Sequence, residues 1–126
     1  MHDGWFEEDT THGPVRVDTF DESRPHEGKV LGIVQAHADD MPLCSGGLVA
    51  KLVAEGYKAF IIQTTNDEKC GPGSSGDAIK SNEVDVAALA KSLGIEDVFN
   101  LGYRNHRQEE NSMLEQRCRL IFLFRH

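Results

Sequence analysis

A short apolar strand that runs directly into ionisable side chains constrains this chain more than any other feature. Residues 30–34 (VLGIV) have the continuous apolar character of a strand buried in a parallel sheet. The sequence Ala-His-Ala-Asp-Asp follows at 36–40, and an apolar-periodic stretch at 48–54 then predicts a helix. The histidine and both aspartates therefore occupy a short loop at the carboxyl end of a strand, where open α/β sheets bind their ligands.

The rest of the chain alternates strands and helices. Lys58–Thr65 predicts a second buried strand, the apolar spacing over 78–93 predicts a second helix, and 97–101 predicts a third strand. Ser112, with Glu115 three residues later, predicts a capping box at the start of a third helix. This order indicates βαβ units, so we expect an α/β fold of the Rossmann-like type, with a parallel sheet in three αβα layers.

Residues 1–28 differ from the rest of the chain in charge and in pattern. They carry eight acidic side chains against two arginines and lack apolar periodicity, so we expect an acidic N-terminal arm before a single domain over 29–126. Of the net charge of −8 on 126 residues, −6 lies in this arm. No basic stripe is present, which disfavours a nucleic-acid partner.

Composition also bears on location. No stretch is long and apolar enough to predict a membrane span or a secretory leader. The three cysteines lack paired spacing, which fits a reducing, cytoplasmic location. The glycine-rich segment at 66–77 matches no phosphate-binding pattern, and it is either a flap over substrate or a plain surface turn.

The cluster after the first strand has the composition of a metal site. A catalytic zinc takes three protein ligands, drawn from His, Asp, Glu and Cys, and keeps a position for water. The spacing lets His37 and Asp40 reach one ion from a tight turn, whereas Asp39 would tend to point away and could act as a general base. In the alternative interpretation, the aspartates only cap the following helix and His37 is a hydrogen-bonded structural residue.

Residues 30–47, with Ala-His-Ala-Asp-Asp followed by a Gly-Gly pair, resemble the PIG-L or LmbE-like family of zinc-dependent de-N-acetylases. The resemblance implies that His37 and Asp40 are ligands of Zn²⁺ and that Asp39 is the catalytic base. It also implies a small-molecule N-acetylated substrate, although no substrate-binding residue can be assigned. Ala38 stands where many members have proline.

Some positions depart from the family pattern. Asp67 stands where the family usually has glycine, and Asn105 stands where it usually has aspartate. Asn105 lacks the charge but keeps a hydrogen-bonding group. His106 beside it allows two interpretations, a substrate or metal contact and a surface imidazole, of which we expect the second.

The family's third zinc ligand, a histidine in a later motif, has no counterpart in this sequence. Residues 120–124 are five consecutive apolar side chains, which one helix face cannot bury. We therefore expect residues 29–126 to be the N-terminal part of a LmbE-like deacetylase domain whose sheet is incomplete at the C-terminus. Two ligands without a third would hold zinc poorly.

The function predicted is that of a zinc-dependent hydrolase, an amidohydrolase that removes an acetyl group from an N-acetylated sugar or related amine. The activity of the isolated chain stays open. An alternative is a non-catalytic α/β module that binds a small ligand or a protein with the same loops. A nucleotide-binding domain is disfavoured because acids stand where a phosphate would lie.

Overall fold

The computed structural model describes residues 5–11 and 13–126. The strands and helices, in chain order, are β1 (Trp5–Thr10), β2 (Gly13–Asp18), β3 (Val30–Gln35), α1 (Asp40–Ala54), β4 (Lys58–Thr65), α2 (Ser75–Leu93), β5 (Asp97–Tyr103) and α3 (Met113–Arg125). A short 3₁₀ turn at Gln108–Glu110 connects β5 to α3.

The central sheet is parallel and has the strand order β3-β4-β5. Val30 lies opposite Lys58, and Phe60 lies opposite Asp97. Because a helix returns the chain after β3 and after β4, the three strands point the same way and their carboxyl ends meet at one edge. The predicted α/β fold with a parallel sheet is confirmed. Strand β4 has the predicted bounds, and β5 continues two residues further than predicted.

The sheet lies between two layers of helices. Ala59 and Ile61 are fully buried on the face covered by α1 and α2, in one apolar cluster with Met41, Val49, Val86, Ala90 and Ile95. The opposite face lies toward α3. There, a Cβ atom on Gly32 would come within 2.8 Å of the Phe124 ring, so glycine allows the close approach of this helix.

Helix α1 begins at Asp40, the last residue of the ionisable cluster, and thus earlier than the periodic stretch predicted. Asp40 therefore lies in the first turn of the helix and not on the loop. Pro42 is compatible with this start because a first-turn proline lacks only an N–H that the helix would leave unpaired. Met41 and Val49 are both buried, and the stability gained from packing these side chains outweighs the low helix propensity of the glycines between them.

The other two helices begin at side-chain caps. Ser74 and Asp77 form a reciprocal capping box, so α2 begins at Ser75 rather than at 78. Ser112 accepts a hydrogen bond from the backbone N–H of Glu115, as predicted, but the Glu115 carboxylate lies 3.4 Å from Arg119 and makes an ion pair with it. Only the serine half of the predicted box is therefore formed.

Strands β1 (Trp5–Thr10) and β2 (Gly13–Asp18) pair as an antiparallel hairpin, which the sequence pattern did not predict. Its register runs from Trp5 opposite Asp18 to Thr10 opposite Gly13. A two-stranded hairpin is marginal on its own. It is joined to α1 by an ion pair of 2.9 Å between Asp18 and Lys51. Among the described residues, no helix combines the length and apolar character needed to cross a bilayer.

Candidate metal centre

Three loops meet at the carboxyl edge of the sheet, one after each parallel strand. Thr65, at the end of β4, donates its hydroxyl to the Ala36 carbonyl at 2.6 Å. A register shift between β4 and β5 places Tyr103 opposite Thr65, and the Asn66 N–H then donates to the Tyr103 carbonyl at 2.8 Å. These bonds hold the three loops against one another and fix where their side chains can reach.

His37, on the first loop, and Asp40, at the start of α1, face each other. His37 Nδ1 lies 3.5 Å from Asp40 Oδ2. The same oxygen accepts the backbone N–H groups of Ala36 at 3.0 Å and of His37 at 2.8 Å, so the carboxylate is turned back onto the loop that precedes its helix. The structure thus brings together the two residues predicted as metal ligands.

Asp39 has a different environment. It occupies the N-cap position of α1, but its side chain makes no capping bond and is exposed. Within the part of the chain that the structure describes, this carboxylate makes no hydrogen bond or ion pair. The alternative interpretation, in which both aspartates serve the helix as caps, therefore does not describe Asp39.

Beneath these residues lies a buried pair that the sequence analysis did not assign to the site. Asp67 is 1% exposed and Asn105 is 2% exposed. Asp67 Oδ1 accepts from Asn105 Nδ2 at 3.0 Å, and Asp67 Oδ2 accepts the Ala38 N–H at 3.0 Å. Asn105 Oδ1 in turn lies 3.0 Å from His37 Nε2. The departures from the family pattern at 67 and 105 marked both positions, but a contact between residues on different loops is not readable from the sequence.

Asp67 also has a special backbone conformation. Its φ is 52°, in the left-handed region that glycine adopts most easily and aspartate tolerates. The turn it makes is held by Asn82 of α2, whose side-chain amide donates to the carbonyls of Asp67 at 3.2 Å and Cys70 at 2.9 Å. The glycine-rich segment is thereby tied to α2 at its start.

Neighbouring groups shift the titration of the first loop. Burial lowers the pKa of His37, but the Asn105 hydrogen bond and the charges of Asp40 and Asp67 outweigh it, so the net pKa is raised. Burial opposes ionisation of Asp40, but the N–H groups of His37 and Ala36 outweigh it and lower the pKa of that carboxyl. The site therefore favours a charged carboxylate beside the imidazole.

The remaining candidates lie at the margin or elsewhere. The His106 ring centre is 5.6 Å from that of His37, and the residue is exposed. His126 stacks near Phe122 at the end of α3, and both line a cavity with Val30 and Lys58 at the start of the strands, far along the sheet from the first loop. The cysteines are all free and exposed.

The donor set fits a metal ion only in part. His37 and Asp40 offer an imidazole nitrogen and a carboxylate oxygen that face each other, which is the chemistry that zinc takes. No group of three His, Cys, Asp or Glu residues arranged for a metal occurs within residues 5–11 and 13–126. Among the described residues, two candidate donors are therefore present where a catalytic zinc needs three protein ligands.

A parallel α/β sheet with polar loops at its carboxyl edge defines a large class of ligand-binding proteins and enzymes. The sequence model of one family within this class, the GlcNAc-PI de-N-acetylases or PIG-L, matches residues 33–125. The chain belongs to this family. No curated protein sequence matches it.

Solved structures with the same fold include two enzymes. The chain is similar to the 4-carboxy-2-hydroxymuconate hydratase GalB from Pseudomonas putida, with 19% sequence identity and a TM-score of 0.68. The alignment covers 77% of the present chain and 42% of the GalB chain. It is also similar to the N,N'-diacetylchitobiose deacetylase from Pyrococcus horikoshii, with 22% sequence identity and a TM-score of 0.63. This alignment covers 79% of the present chain and 39% of the deacetylase chain. These two likenesses show the fold alone.

A third structure is more similar in sequence. The conserved protein TT1542 from Thermus thermophilus is 31% identical over 71% of this chain and 38% of its own, with a TM-score of 0.59. The chain spans about two fifths of the length of each of the three structures.

Proposed function

We propose that the site belongs to a zinc-dependent hydrolase that removes an acetyl group from an N-acetylated sugar or a related amine. Membership of the GlcNAc-PI de-N-acetylase family supports a hydrolase of this kind, and a deacetylase is among the structures with the same fold. The proposal includes residues 29–126 as the N-terminal part of a longer deacetylase domain. It also includes a cytoplasmic location, which the free thiols at positions 44, 70 and 118 favour.

One observation carries the proposal: the carboxylates around His37 have no cationic partner. Within the described residues, no lysine or arginine forms an ion pair with Asp39, Asp40 or Asp67. Negative charge gathered beside an imidazole, without a fixed cation, favours the binding of a divalent ion. His37 and Asp40 would hold Zn²⁺, which would supply Lewis acidity and lower the pKa of a water molecule.

Asp39 has the position and exposure of a general base. Asp39 lies between the two proposed ligands in the sequence, and no hydrogen bond within the described residues occupies its carboxylate. We assign it the proton of the attacking water as the water oxygen bonds to the acetyl carbon. When the carbon–nitrogen bond breaks, the same carboxylic acid returns that proton to the leaving amine, so that acetate and a free amine result.

The fold alone does not choose this reaction, because one of the similar structures is a hydratase. The choice rests on the family match and on the arrangement of Asp39 beside two metal-binding side chains. A module that binds a ligand without catalysis would use the same loops, but it would have no need for an unpaired carboxylate next to them.

The test is acetate release by the longest form of the protein that the gene encodes, loaded with zinc and given N-acetylglucosamine or N,N'-diacetylchitobiose. Asp39→Asn is expected to lower turnover by at least about 100-fold while bound zinc stays constant. Glu110→Gln, a carboxylate on the exposed 3₁₀ turn, serves as the matched control. Undiminished turnover in Asp39→Asn would overturn the base assignment, and zinc binding without acetate release would favour the non-catalytic module.

A further inference from the structure

The buried pair of Asp67 and Asn105 controls more than packing. We propose that Asp67 is a positioning residue that, through Asn105, fixes which ring nitrogen of His37 bears the proton. The proposed role of Asp67 adds to the proposed function, and only its consequence for metal binding rests on that function. The state of the ring itself is a property of the metal-free chain.

The series of hydrogen bonds begins at a backbone N–H group, which cannot rotate. The Ala38 N–H donates to Asp67 Oδ2, which leaves Oδ1 to accept from Asn105. A carboxylate can only accept, so the Asn105 side chain must present its NH₂ group to Asp67 and its oxygen to His37. The backbone of Asn105 is also held, because its N–H donates to Glu68 Oε2 at 2.8 Å.

The consequence falls on the imidazole. Each ring nitrogen of His37 faces a group that can only accept: Nε2 lies 3.0 Å from Asn105 Oδ1, and Nδ1 lies 3.5 Å from Asp40 Oδ2. The neutral ring has one proton, and the shorter contact assigns it to Nε2. The lone pair then lies on Nδ1, which faces Asp40. The two groups proposed as metal ligands therefore present free electron pairs on the same side. A second partner that selects the tautomer of a ligating histidine is a recurrent requirement of metal sites.

A single isosteric replacement reverses the sequence of donors. In Asp67→Asn, the Ala38 N–H claims the new amide oxygen, so the NH₂ group of the new residue points at Asn105. Asn105 must then turn its oxygen toward position 67 and its NH₂ toward His37, which makes Nε2 the acceptor and moves the proton to Nδ1. Asparagine tolerates the left-handed backbone at this position, so the turn itself is retained.

The experiment is long-range ¹H–¹⁵N correlation of the histidine rings in the metal-free 126-residue chain, at about pH 9 where imidazoles are neutral. His37→Gln identifies the signal. Wild type is expected to show a protonated Nε2, Asp67→Asn a protonated Nδ1, and the exchanged pair Asp67→Asn with Asn105→Asp a protonated Nε2 again. A merely structural role for Asp67 would lower stability and leave the tautomer unchanged.

The protonated nitrogen found in each variant supports or overturns the proposed role of Asp67. A protonated Nδ1 in wild type or in the exchanged pair overturns the proposal, and so does a protonated Nε2 in Asp67→Asn. If Asp67→Asn does not fold, wild type and the exchanged pair still test it. Zinc titration of the same variants is a separate readout, with affinity expected to fall about 10-fold or more in Asp67→Asn and to recover in the exchanged pair. Absence of zinc binding in all variants, with the tautomers as expected, would count against the proposed function alone.

Discussion

Two histidine–carboxylate pairs lie at opposite ends of α1, and they have the same separation. His37 Nδ1 is 3.5 Å from Asp40 Oδ2 at the start of the helix, and His26 Nε2 is 3.5 Å from Glu55 Oε2 just past its end. The difference between them lies in the third partner. Glu55 is also bound by Lys51 at 2.8 Å, whereas the partners of Asp40 among the described residues are backbone N–H groups and the imidazole.

The contrast separates a structural cluster from a site. Around Glu55, a lysine neutralises the buried carboxylate, and the Asp21 N–H at 2.8 Å adds a bond that ties the segment before β3 to α1. Around His37, no lysine or arginine among the described residues forms an ion pair with Asp39, Asp40 or Asp67, although Arg104 lies 3.7 Å from the neighbouring Glu68. The same pair of residue types thus has a lysine partner at one end of the helix and, among the described residues, none at the other.

The largest effect is expected from removing the structural carboxylate. Glu55→Ala deletes the acceptor of the Asp21 N–H and one of the two carboxylate partners of Lys51, which keeps Asp18, at a position that is 1% exposed. We expect it to lower the free energy of unfolding by about 3 kcal/mol, because a buried N–H loses its acceptor and a buried ion pair is broken. Urea denaturation followed by circular dichroism measures this. Glu110→Ala, which breaks an exposed ion pair with Arg107, should cost about 0.5 kcal/mol or less. Equal losses in the two variants would show that the cluster around Glu55 stabilises the fold no more than an exposed ion pair does.

A smaller loss is expected within the site. Asp67→Ala leaves the Ala38 N–H and the Asn105 amide without their acceptor, and we expect a loss of about 2 kcal/mol in the free energy of unfolding. Asp39→Ala, one loop away and exposed, should change it by no more than about 0.5 kcal/mol. Urea denaturation of both variants measures these changes. A large loss in Asp39→Ala would show that this carboxylate supports the fold and is not reserved for chemistry.

Zinc should tell the two histidine pairs apart. At a free zinc concentration about tenfold above the dissociation constant, the free energy of unfolding should rise by about 1.4 kcal/mol. His37→Ala is expected to abolish the rise and His26→Ala to retain it, because Lys51 already occupies the carboxylate beside His26. Thermal unfolding with and without zinc measures both. A rise in the free energy of unfolding that is lost in His26→Ala would contradict the assignment of zinc binding to the His37 pair.

The smallest effect concerns pH. The Lys51 hydrogen bond lowers the pKa of Glu55, against the effect of burial and with help from the Asp21 N–H. A carboxyl whose pKa is lower in the folded state contributes stability above its unfolded pKa and loses it as the pH falls through the folded value. The stability gap between wild type and Glu55→Gln, measured by urea denaturation, should therefore narrow between about pH 6 and about pH 3. A constant gap would contradict this account of Glu55.

The sequence predicted the parts of the molecule that depend on local pattern. Continuous apolar runs placed β3 and β4, and the periodic spacing placed most of α2, because burial on both faces of a parallel strand or one face of a helix leaves a readable pattern. The hairpin was missed because 5–18 carry no such pattern. The early start of α1 was missed because glycines and a proline obscured a helix held by packing.

For the site, the sequence supplied the residue types but not their contacts. His37, Asp39 and Asp40 are neighbours along the chain, so their shared position at the sheet edge followed from the strand before them. Asp67 and Asn105 lie 38 residues apart and meet only because two strands end at the same edge. No single-sequence signal reports such a meeting, although both positions stood out as departures from a family pattern.

The left-handed backbone at position 67 limits how the protein can vary there. Glycine and asparagine are the replacements that this conformation accepts most easily, and neither restores a group that accepts at two oxygens. Glycine would empty the space beneath the histidine, and asparagine would reverse the polarity of the amide next to it. Once aspartate stands at position 67, it can be replaced without harm when the residue at position 105 changes as well. We therefore expect the two positions to vary together among related sequences.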